Sequence, residues 1–100
     1  MTKTETWTRA AGEAPTELVE LRARLDRVDA RILRLLARRG RLSLEAKRLK
    51  QRVDLPALDL RRESAVVAGA ARGARELGLD PELVRDIYWR ILELSRKAAP

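Results

Sequence analysis

The sequence predicts an all-α protein, and three observations carry that expectation. The composition is 45% hydrophobic but only 3% aromatic with no Phe, and Ala, Leu, Arg and Glu dominate, a profile that favours helices over sheets. Apolar residues recur at alternating spacings of three and four, from Leu18 through Leu21, Leu25, Val28, Ile32 and Leu35 to Leu42, Ala46 and Leu49, which is a heptad seam. Turn-forming residues cluster at two places only, VDLPALD and LGLDP, and so cut residues 17 to 96 into one long helix and two shorter ones. No strands are expected. A chain of 100 residues makes one domain whose core is marginal unless something enlarges it.

Taken in order, residues 1 to 16, MTKTETWTRAAGEAPT, are polar and aperiodic and read as a flexible tail that leaves Trp7 unexplained. Residues 17 to 100 read as the helical domain. Thr16 is a candidate N-cap, with Glu17 and Glu20 in the first turn near the positive end of the helix dipole. No proline follows until Pro56, and only Gly40 dilutes the helix signal, so one helix is predicted from Glu17 to Arg52, roughly 50 Å long. A compact domain of this size has a radius of gyration near ~13 Å, so the rest of the chain cannot wrap such a helix. The heptad seam therefore calls for a partner chain, and a homodimer is expected. Asp59 suits the N-cap of a second helix over 60 to 77. In LGLDP, Gly78 suits the left-handed C′ position, Asp80 the next N-cap and Pro81 the first turn of a third helix over 81 to 96. That helix would turn Val84, Ile87, Tyr88, Ile91 and Leu92 to one face.

The composition also removes whole classes of chemistry. With no Cys there is neither a disulfide nor a thiolate nucleophile, and with no His the commonest general base and metal ligand is missing, so no metal site is expected. The N-terminal residues lack an apolar h-region and no apolar run approaches the ~18 residues that span a bilayer; a soluble, cytoplasmic protein without a membrane partner is expected. The net charge of +7 favours an anionic partner. The charge by itself does not choose among nucleic acid, a membrane surface and a small acid as that anionic partner, although Trp7, Tyr88 and Trp89 are too few for a base-stacking platform and no helix-turn-helix pattern is present, which argues against nucleic acid.

The seam contains one anomaly that bears on such a ligand. In LRLLARRGRL, position 39 should continue the apolar stripe, yet it holds Arg39. Lys50, eleven residues on, returns to within about 20° of Arg39 and lies roughly 16 Å further along the axis. Small residues, Ser43 and Ala46, occupy the same face between them, so two long cations flank an open stretch of helix and are placed to grip an anion at both ends. Arg22 lies about 100° round and roughly 25 Å away, too far to serve that pocket from the same helix, although an antiparallel partner helix would bring it there. Arg62 and Glu63 sit at the edge of the second helix's apolar face, and Ser95 follows Ile91 by one turn. Each has a plainer reading. Arg39 would serve as a register-setting polar group or snorkel to solvent, Lys50 and Arg22 as solvated cations, Arg62 and Glu63 as a helix-start charge pair, Ser95 as a tolerated helix-end residue, and Ser43 and Ala46 as close-packing residues.

In this order and spacing, LRARLDRVDARILRLLARR with Arg22 and Arg39, the downstream Lys50, PALDLRRE, LGLDP and Ser95 resemble the all-helical, AroQ-type chorismate mutase family over residues 17 to 99. The resemblance implies an intertwined homodimer of three-helix subunits that rearranges chorismate to prephenate with no cofactor and no metal. It implies that Arg39, and Arg22 from the other subunit, hold the two carboxylates, and that Lys50 donates to the ether oxygen. It further implies that Asp59, through its backbone, and Glu63 hold the ring hydroxyl, with Arg62 shaping the same wall and Ser95 near the ring carboxylate. Two positions depart from the family. Ala99 stands where a Gln or Glu usually follows Ser95 by one turn, and Ala46 and Lys47 replace a Val-Gly pair before the lysine. These departures leave room for 4-amino-4-deoxychorismate as substrate, for an isochorismate-pyruvate lyase, or for a non-catalytic regulatory or docking dimer.

Overall fold

The structure, a computed structural model, describes residues 14–98. Trp7 and most of the expected tail, with Ala99, lie outside the described residues. Three helices follow in order: α1 (Thr16–Arg52), α2 (Leu60–Glu76) and α3 (Pro81–Arg96), and no strand occurs among the described residues. The all-α expectation holds, with one long helix and two short ones.

Helix ends depart from the sequence reading by one residue or agree with it. Val19 N–H donates to Pro15 O at 3.0 Å, so the first capping carbonyl belongs to Pro15, and Thr16 is the first helical residue rather than the N-cap. At the other end of α1, Leu55 N–H reaches back to Lys50 O at 2.9 Å across Asp54, whose φ is 56°. This is a Schellman turn with an aspartate in the left-handed position that a glycine usually fills. The same turn closes α2, where Gly78 (φ 74°) lets Leu79 N–H bond Ala74 O at 2.8 Å. Helix α2 ends at Glu76, one residue before the predicted end, and Leu77 caps it. Asp59 Oδ1 accepts from Arg62 N–H at 3.0 Å, and Asp80 Oδ1 accepts from Glu82 N–H at 2.9 Å and Leu83 N–H at 3.2 Å, as both N-cap assignments require.

By its contacts the chain divides into two units, Met1–Arg34 and Leu35–Pro100. The described part of the first is the N-terminal portion of α1. In the second, α2 and α3 pack together through Val67, Ala71 and Ala74 on one side and Leu92 and Ser95 on the other, all buried. The alanines at helical spacing let the two backbones approach closely. The inward stripe of α3 runs through Val84, Tyr88, Leu92 and Ser95, and Ile87, expected on that face, is 55% exposed because it lies about 100° from Tyr88 round the helix. The core is small, and no large side chain is fully buried among the described residues. The α1 seam is uncovered, with Leu25 61%, Val28 50% and Leu35 58% exposed.

The cap of α3 is the clearest local determinant. Asp80→Ala should lower stability by about 1 kcal/mol by leaving two backbone amides without their acceptor, read as a reduced urea midpoint at unchanged m-value.

Candidate active site

The C-terminal segment of α1, the 53–59 loop, α2 and the end of α3 enclose a cavity of about 480 Å³. Arg39 stands on its wall. The guanidinium is half-buried, and Nη1 donates to Ser95 Oγ on α3 at 2.7 Å across 56 positions of sequence. Arg39 thus neither snorkels to solvent nor sets register alone. It turns into the space where α1 faces α3, and one hydrogen bond fixes its direction while its other N–H groups remain available.

Lys50 closes the far end. Its Nζ donates to Ala57 O at 3.3 Å in the loop that the Schellman turn folds back, so the same turn that ends α1 supplies the carbonyl that orients the lysine. Ser43 and Ala46 lie between the two cations and line the cavity with Leu42 and Lys47. Both cations and the small residues between them thus line one space.

The remaining predicted residues mostly arrive there too. Asp59, Arg62, Glu63 and Ser95 all line the cavity. The Asp59 carboxylate is engaged in capping α2. Glu63, with only 15% of its side chain exposed, accepts from Arg96 Nη1 at 2.5 Å. Arg22 is not brought to this cavity; it is an exposed residue of the N-terminal unit.

Two features were not read from the sequence. Arg96 lines the cavity and pairs with Glu63, a contact across 33 positions that only the α2–α3 packing creates. Gly40, which in the sequence only dilutes the helix propensity, is the one buried residue of α1: a Cβ there would lie 3.0 Å from Ala98 Cβ. A glycine directly after the seam arginine is the available signal, since a glycine in a helix interior costs about 1 kcal/mol and calls for a packing reason.

Electrostatically the wall is lopsided. Arg39, Lys47, Lys50, Arg62 and Arg96 face Asp59 and Glu63, so the cavity carries an excess of positive charge. Guanidinium and ammonium groups converging from three helices, over an apolar patch of Leu42, Val66 and Leu92, suit a compact organic ligand with more than one carboxylate.

Fold and site together define an all-helical domain with a cationic cavity between its helices. The chain belongs to the chorismate mutase type II family, whose model matches residues 21–99. It is also similar to the T-protein of Enterobacter agglomerans, 37% identical over 79 residues, which is 79% of this chain and 21% of that protein. The chain thus spans about a fifth of the length of that curated relative. No solved structure matches it significantly.

The Arg39–Ser95 bond yields a measurable expectation. Ser95→Ala should leave the helices intact by circular dichroism but weaken binding of a dicarboxylate by about 0.5–1.5 kcal/mol, because the guanidinium loses the acceptor that aims it. Titration calorimetry reads the change directly.

Proposed function

We propose that this domain catalyses the Claisen rearrangement of chorismate to prephenate. The observation that carries this reading is the pairing of Arg39 and Lys50 across a small-residue floor in a cavity of a chorismate mutase type II chain. Such a step needs no nucleophile and no proton relay, so a wall of fixed cations without His or Cys is sufficient for it. The rate is gained by holding the substrate in its folded, reactive conformer and by stabilising the negative charge that grows on the breaking ether oxygen. In this reading Arg39 grips one carboxylate. Lys50, held by Ala57 O, turns its remaining protons to the ether oxygen and a carboxylate. The Asp59 backbone and Glu63 hold the ring hydroxyl, Arg62 shapes the wall beside them, and Ser95 lies near the ring carboxylate.

Arg22 completes the site from a second chain in this reading. The exposed seam of α1 is the surface for it, since each large aliphatic side chain that becomes fully buried contributes about 1.5–3 kcal/mol. A homodimer with residues 17–100 as its helical domain and a cytoplasmic location accord with this picture. Among the described residues no helix is long and apolar enough to cross a membrane.

The decisive assay is incubation with chorismate, its 4-amino analogue and isochorismate in turn, with products identified by mass and NMR. Prephenate from chorismate is expected, and pyruvate release from isochorismate or turnover of the amino analogue alone would overturn the assignment. Lys50→Ala should lower kcat by about 10²–10³, the cost of removing one preorganised donor to a developing oxyanion, with a smaller change in KM.

Dimer and shared site are tested together. Sedimentation equilibrium at micromolar concentration should give twice the chain mass. Mixing inactive Arg22→Ala and Arg39→Ala chains should restore activity, because one site of each heterodimer then keeps both arginines; dead heterodimers would remove Arg22 from the site.

A further inference from the structure

We infer that Arg96 is a positioning residue that sets the pocket's choice between a hydroxyl and an amino group on the ring, acting through Glu63. The inference rests on the proposed placement of Glu63 against that ring substituent. Two carboxylates line the cavity. Asp59 is committed to the cap of α2, where it accepts from Arg62 N–H at 3.0 Å, so Glu63 is the carboxylate left to meet the ligand. It does not meet it as a lone negative charge. Arg96 Nη1 lies 2.5 Å from Glu63 Oε2, and the Glu63 side chain is only 15% exposed, so the guanidinium offsets most of the field a ligand would sense there.

A compensated carboxylate still accepts a hydrogen bond through its second oxygen and unused lone pairs. A neutral hydroxyl asks for no more than that. An aliphatic amine at the same ring position is a cation at neutral pH, and it would bring its charge beside Arg96 into a wall where Arg39, Lys47 and Lys50 already exceed the acids. Discrimination here is repulsive: the guanidinium does not reward the hydroxyl but penalises the ammonium. The order of the residues makes this possible. Ser95 accepts from Arg39 on α1, and Arg96, the next residue and last of α3, is turned about 100° from it and bonds Glu63 on α2, so adjacent positions engage different helices of the cavity wall.

The test compares the carboxyethyl ethers of the 4-hydroxy and 4-amino rings, which lack the vinyl double bond and cannot rearrange, so that binding is read independently of turnover. Calorimetry on the intact chain should show the 4-hydroxy compound binding at least tenfold tighter. Arg96→Gln should narrow that ratio at least tenfold, chiefly by tightening the amine, while Arg96→Lys, which keeps the charge, should retain it. Equal binding of the two compounds by the unaltered chain, or an unchanged ratio in Arg96→Gln, would overturn the inference. The unaltered chain alone can decide against it should the glutamine variant fail to fold, and Arg96→Met offers a second neutral replacement. A merely structural role for Arg96 would weaken both ligands together. Selective binding of the hydroxyl compound by a chain that does not convert chorismate would end the mutase proposal and leave the role of Arg96 standing.

Discussion

The hydrogen bond from Arg39 to Ser95 is the contact on which the candidate site depends. A guanidinium in an apolar helical seam is costly unless its donors find partners, because a half-buried charge has lost part of its hydration. Ser95 provides one acceptor, and the uncommitted donors stand on the wall of the cavity. The seam and the site are therefore two uses of one stripe, with apolar positions for burial and position 39 reserved for charge. Gly40 belongs to the same arrangement. The segment after α3 comes against α1 so closely that a methyl group at residue 40 would crowd Ala98, and this approach keeps the end of α3, with Ser95 and Arg96, beside Arg39.

Much of this was legible in the sequence because it is local or periodic. The long α1 helix, the Asp59 and Asp80 caps and the Gly78 turn follow from spacing and turn chemistry, and each is present. Arg39 and Lys50 were found together because a helix is a ruler: eleven residues fix both angle and rise. The misses share a cause as well. The Arg96–Glu63 pair depends on the packing of two helices, which no single-helix pattern encodes. Ile87 was placed inward because apolar character alone does not say where the centre of a stripe lies. Asp54 was missed because a left-handed aspartate is an uncommon substitute for glycine, permitted by its short polar side chain.

The loop after α1 shows how a local turn serves the site. A straight continuation would carry Lys50 away from α2, yet the bond from Leu55 N–H to Lys50 O folds the chain back and brings Ala57 O to the lysine's own side chain. Backbone and side chain of Lys50 are thus held by the same short segment, which leads directly into the Asp59 cap. Three polar groups of the cavity, Lys50, Asp59 and Arg62, are therefore fixed by a run of chain in which each residue's position follows from a hydrogen bond to a near neighbour. Rigidity of this kind is what preorganised electrostatic catalysis asks for, since dipoles that must reorient during the reaction give back what they stabilise.

The same electrostatics weigh on the stability of the fold. Arg39, Lys47, Lys50, Arg62 and Arg96 line the cavity with Asp59 and Glu63 as the acids among the described residues there, and the small core of Val67, Ala71, Ala74 and Leu92 offers limited burial to set against their repulsion. An anionic ligand relieves that repulsion, so binding and stability are linked, and ligand present well above its dissociation constant shifts the folding equilibrium by the logarithm of that excess. Removing cations would ease the repulsion but would also remove the groups that grip the ligand, the usual conflict between stability and function at charged sites. Added apolar burial is the route that avoids this conflict, and the uncovered α1 seam is where the chain offers it. In this sense the long seam and the cationic wall answer one another: the charge that makes the cavity useful raises the demand for burial, and the seam is the part of the sequence able to meet it.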